Sequence, residues 1–99
     1  MTEDELLGKV TKAAGERGLL WHHCGDSRRC TGRRGVPDLL ILGRSLLLAE
    51  LKGEDGETSA DQDYWLWRLH ETRTPYAVWD PRHWRNGVIQ AVLDELRLQ

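Results

Sequence analysis

Two short apolar runs lie almost back to back in the middle of this chain, and both are broken by charge. They are Val36-Pro37-Asp38-Leu39-Leu40-Ile41-Leu42 and Leu46-Leu47-Leu48-Ala49-Glu50-Leu51-Lys52, separated by Gly43, Arg44 and Ser45. Short apolar runs bounded by turn residues read as strands, so the pair predicts a hairpin. Their near-continuous apolar character suggests strands covered on both faces, although periodicity alone does not separate such a run from buried helix. Strand side chains alternate between faces, so Glu50 and Lys52 point the same way. In a hairpin, Asp38 near the start of one run lies opposite the end of the other, and all three charges meet at one edge of the sheet.

Buried charge is costly unless it is paired or binds a metal, and neighbouring carboxylates repel each other. A divalent cation relieves both problems. Mg²⁺ takes oxygen ligands, uses one or two carboxylates and keeps several waters. One such water can attack a phosphoryl group whose charge the metal neutralises, with Lys52 orienting the water or stabilising the transition state. The simpler alternative is a structural ion pair between Lys52 and Asp38 or Glu50.

The rest of the chain frames this hairpin. Leu6, Leu7, Val10, Ala13 and Ala14 recur at helical spacing, which predicts a helix over Glu3 to Arg17, with Thr2 as its cap and Gly18 as its stop. Leu19 to Cys24 reads as a short strand, and Gly25 to Gly35 as a polar, arginine-rich loop kept mobile by Gly32 and Gly35. Ser59 and Gln62 match a capping box opening a second helix, on which Gln62, Trp65, Leu66 and Leu69 share a face. Thr72 to Thr74 breaks that helix, and Pro75 to Trp79 is a last strand. Asp80-Pro81 starts a final helix carrying Val88, Ile89, Val92, Leu93 and Leu96, weakened early by Gly87. The expected order is α-β-β-β-α-β-α, an α/β fold with a mixed sheet of about four strands flanked by helices. At 99 residues, positions 1–99 read as a single domain.

Composition narrows the function less than distribution does. The net charge is -2, which taken alone disfavours nucleic acid. Yet Arg28, Arg29, Arg33 and Arg34 cluster in one loop directly before the Asp38 run, where they are either a solvated loop or a clamp on a phosphate backbone. No apolar run approaches the ~18 residues of a membrane span, and the acidic, amphipathic start is not a signal peptide, so a cytoplasmic location is expected. Cys24 and Cys30, the only cysteines, read as reduced thiols. A zinc site is a poor fit, because the adjacent His22 and His23 would face opposite ways on a strand. His23 is either a phosphate contact or a plain strand-end residue. Tyr64, Trp65, Trp67 and Trp84 serve either the core or an interface.

Gly35-Val36-Pro37-Asp38, then Glu50-Leu51-Lys52-Gly53, then Ser59-Ala60-Asp61-Gln62 closely resembles the PD-(D/E)xK nuclease superfamily. Order and spacing are most similar to its VRR-NUC branch, whose members include small stand-alone phage and bacterial nucleases and the C-terminal domain of the Fanconi-associated nuclease. Thr2-Glu3, His23 and Asp26-Ser27-Arg28-Arg29 also resemble the small phage-type members. The resemblance covers nearly the whole chain and implies a restriction-endonuclease-like core. It implies that Asp38, Glu50 and the Leu51 carbonyl are metal ligands and that Lys52 is the catalytic lysine. It brings Gln62 to the site from the second helix and Glu3 to the metal or its waters, with Glu3 favoured over Glu5. The implied cofactor is Mg²⁺, with Mn²⁺ able to substitute. The implied activity is metal-dependent endonucleolytic cleavage of branched DNA such as a Holliday junction, by a homodimer. Ser27, His23 and the four arginines would contact the DNA. The competing class is a non-catalytic DNA-binding module, or a subunit of a larger complex. The Trp-rich second helix is the feature the resemblance does not account for.

Overall fold

The structure, a computed structural model, describes residues 1–24 and 30–98. Its elements follow in the order α1 (Glu3–Glu16), β1 (Leu20–His23), β2 (Leu39–Leu42), β3 (Leu46–Leu51), α2 (Ala60–Glu71), β4 (Tyr76–Trp79), α3 (Pro81–Arg85) and α4 (Val88–Leu96). The strands form one sheet in the order β1-β2-β3-β4. The first three are antiparallel neighbours, and β4 adds in parallel to β3 after the α2 crossover.

Local chemistry accounts for the helix starts. Thr2 caps α1, accepting the backbone N–H of Glu5, while the Glu5 carboxylate accepts the Thr2 N–H at 3.1 Å. Ser59 and Gln62 form the same reciprocal box on α2. The core lies between α1, α4 and one face of the sheet, where Leu6 and Val10 meet Leu39, Ile41, Ala49 and Leu93.

Three expectations need correction. The apolar runs are not covered on both faces. Burial alternates along β2, and Leu40, Leu42 and Leu46 on the second face stay exposed beside Leu20 of β1. α2 packs against β4, at the edge of the sheet opposite β1. The C-terminal helix is two helices, because Gly87 adopts φ +84° between them, with Asn86 Oδ1 accepting the Val88 N–H across the turn. Cys24 and Cys30 are joined by a disulfide rather than reduced, since folding brings two cysteines six positions apart to a Cα separation of 6.8 Å. Among the described residues no helix is long and apolar enough to cross a membrane.

Candidate active site

The hairpin register brings the acidic residues together. Leu39 pairs with Ala49, so the next step back along β2 sets Asp38 beside Glu50. The Leu51 N–H donates to Asp38 Oδ2 at 3.3 Å, holding that carboxylate at the strand edge. Glu3, in the first turn of α1, completes the group: one carboxylate oxygen from each of Glu3, Asp38 and Glu50 lies within 4.8 Å of the others. Glu5 is engaged in the capping box instead.

Glu50 is the unusual member. It is 1% exposed, and no backbone N–H, lysine or arginine donates a hydrogen bond to either oxygen of its carboxylate, which faces the Asp38 carboxyl instead. Among the described residues the cation beside Glu50 is Lys52, whose Nζ is 3.8 Å from Oε2, beyond hydrogen-bond reach. Burial first, and the neighbouring Asp38 second, push the Glu50 carboxyl up to about 9. Glu3 is raised as well, by burial and then by Asp38. An internal ion pair leaves the Glu50 oxygens unsatisfied. Converging hard oxygen donors, one of them buried without a donor, fit a divalent cation such as Mg²⁺.

Lys52 is held from the opposite side. Its Nζ donates to Gln62 Oε1 at 2.8 Å, and the same oxygen accepts the Ser59 N–H at 2.8 Å. The capping box that starts α2 therefore also places the lysine. α2 is itself locked to the segment before β2. Gly35, at φ +95°, packs so closely that a Cβ would stand 2.4 Å from the Asp61 carbonyl. The Trp65 indole N–H donates to the Arg34 carbonyl at 2.9 Å. The sequence placed Trp65 on the Gln62 face but carried no signal for this partner. Gly35, expected to loosen the loop, instead permits a close contact.

Two clefts open on Asp38. Glu3, His23, Asp38 and Leu51 line one of about 210 Å³. Arg33, Arg34, Asp38 and Gln62 line the other, of about 370 Å³, together with Cys24 and Cys30. The structure thus brings His23, Arg33 and Arg34 to the carboxylates. Ser27, Arg28 and Arg29 lie outside the described residues.

The mixed sheet, its flanking helices and the carboxylates at the hairpin edge define a restriction-endonuclease-like fold. No family model matches the chain, and no curated protein matches it in sequence. Among solved structures it is similar to one described as a VRR_NUC domain protein, with a TM-score of 0.59 and 21% identity over 81% of this chain and 78% of that one. The chain thus has the VRR_NUC fold.

Proposed function

We propose that residues 1–99 form a metal-dependent endonuclease domain that hydrolyses phosphodiester bonds in structured DNA, with the four-way junction as the first substrate to test. One observation carries this reading: both Glu50 oxygens are buried without a donor, beside Asp38 and Glu3, with Lys52 held next to them. Asp38, Glu50 and the Leu51 carbonyl would hold Mg²⁺, or Mn²⁺ in its place, with Glu3 at the rim for the metal or its waters. When bound, the cation supplies Lewis acidity toward a phosphoryl oxygen and lowers the pKa of a water ligand.

The chain's own groups do the rest. The Lys52 ammonium carries three donors and spends one on Gln62, leaving others for the attacking water or for charge developing on the phosphoryl group. Arg33 and Arg34, with Arg28 and Arg29 on the same stretch, neutralise backbone phosphates and set the register of the duplex, and the Ser27 hydroxyl donates to a phosphate oxygen. His23 contacts a phosphate from the other cleft. A homodimer would present two such sites to two symmetric strands. The exposed face carrying Leu20, Leu40, Leu42 and Leu46 supports it, since a second copy would bury that surface. The work belongs in the cytoplasm of a bacterium or a phage-infected cell, where such DNA is found.

The test is cleavage of labelled four-way-junction and linear duplex DNA with Mg²⁺, Mn²⁺ or EDTA, comparing the unaltered protein with Lys52→Ala. Junction cleavage that needs metal and disappears in the variant supports the proposal. Binding of both substrates without cleavage overturns it in favour of a non-catalytic DNA-binding module.

A further inference from the structure

The metal site uses the Gln62 face of α2 and leaves its outer flank unexplained. Trp67 is 53% exposed there, although an indole gains most when buried. Its ring centroid is 6.1 Å from that of Tyr64, also exposed. Two guanidinium groups attend this pair. Arg33 stands 4.2 Å over the Tyr64 ring, and Arg68 stands 5.3 Å from it with its Nη2 donating to the Tyr64 hydroxyl. Arg33 also lines the cleft that opens on Asp38. The Trp65–Arg34 hydrogen bond and the Gly35–Asp61 contact fasten this arginine segment to α2. Stacking surface and cleft are therefore parts of one braced wall.

We infer that the Arg33–Tyr64–Trp67 flank stacks unpaired bases of the substrate, so that the site takes DNA in which a single-stranded segment adjoins the duplex. This rests on the nuclease reading and narrows its substrate. Exposed aromatics with interleaved arginines match a nucleobase, which has a π-face for stacking and a phosphate within reach of the guanidinium. Paired bases hide those faces in the helix stack, and a duplex backbone offers an indole nothing to stack on. Asp61 on the same cleft points the same way. Its carboxylate opposes a phosphate but can accept from the amino groups that bases expose when unpaired.

The experiment reads binding in Mg²⁺ with the Lys52→Ala protein, which is expected to bind without cutting. The probes are a blunt DNA hairpin and the same hairpin bearing a single-stranded thymidylate tail. The tail is expected to tighten binding and quench tryptophan fluorescence. Adding Trp67→Ala should remove about tenfold of that gain together with the quench, as loss of one stacked base does. Trp67→Phe should restore the gain in affinity. Trp21→Ala, which removes the other highly exposed tryptophan, should leave both intact. If Trp67→Ala and Tyr64→Ala keep the parent's ratio of tailed to blunt affinity, the inference is overturned. If the parent binds neither hairpin, the inference is overturned, while metal-dependent cleavage of the four-way junction decides the nuclease reading separately. A Trp67-dependent tail effect in a Lys52-intact protein that never cuts overturns the nuclease reading alone.

Discussion

Oε1 of Gln62 lies 2.8 Å from Nζ of Lys52, and that same oxygen accepts the Ser59 N–H that opens α2. One carboxamide thus joins helix initiation to the position of the candidate catalytic lysine. Lys52 Nζ stays 3.8 Å from Glu50 because it is bonded to an acceptor on the far side.

Gln62→Ala should therefore lower kcat about 10–100-fold, the usual cost of losing a partner that orients a site group. KM should change little, because the arginines proposed to contact DNA are untouched. Losing the Gln62 half of the capping box, with Ser59 still in place, should also cost about 0.3–1 kcal/mol of stability. Gln62→Glu keeps an acceptor for both bonds and should restore most of the rate. Single-turnover kinetics with thermal melts would separate the two effects. An equal fall in kcat for both variants would place the role of Gln62 elsewhere.

Glu50 makes the metal-free protein sensitive to pH. Its carboxyl is raised from an ordinary value of 4.5 to about 9, chiefly by burial and next by Asp38. Between those values the folded state keeps a proton that the unfolded chain releases, so stability falls as pH rises through the window. The depressed carboxyl of Asp80, held at about 2 chiefly by Arg82, acts at lower pH: its contribution is lost as the solution is acidified. In EDTA, the urea midpoint should drop between about pH 5 and pH 9 for the unaltered protein and stay nearly level for Glu50→Gln. Mg²⁺ should raise the Tm of the former and not of the latter. A level profile for both would remove the basis for a buried, metal-seeking carboxylate.

Gly35→Ala should be far more damaging than its size suggests. The new Cβ would meet the Asp61 carbonyl at 2.4 Å, on a backbone already at φ +95°. The expected loss is about 1–3 kcal/mol, with a parallel fall in cleavage as the N-terminus of α2 shifts and Gln62 moves off Lys52. Gly8→Ala, in α1 with nothing within 4 Å, is the control and should stabilise by about 0.5–1 kcal/mol. Circular-dichroism melts and cleavage rates on the same preparations would check both.

The apolar face of the sheet predicts the oligomeric state. Leu20, Leu42 and Leu46 form a row across β1, β2 and β3, because Leu20 pairs with Leu42 and Leu42 with Leu46. Leu42 is 41% exposed, so Leu42→Asp should leave folding largely intact. Light scattering should find a dimer for the unaltered protein and a monomer for Leu42→Asp. A monomer in both cases would discard the homodimer.

Much of the site was legible in the order of residues alone. Asp38, Glu50 and Lys52 interrupt apolar strands at positions that alternation and a hairpin bring to one edge. Ser59 and Gln62 announce the start of α2 through local capping chemistry. These are short-range relationships, set by the period of a strand or the first turn of a helix. Long-range packing decided the rest. Glu3, from α1, was placed at the site by resemblance, but no local pattern measures its approach to Asp38. Trp65 and Gly35 owe their roles to a helix and a loop far apart in sequence. The open face of β2 exists because no helix among the described residues covers it. The Cys24–Cys30 bridge follows from a proximity that counting cysteines does not reveal. Backbone preference and side-chain periodicity act over a few residues and so are written locally, whereas burial, approach distance and a raised carboxyl belong to the assembled fold.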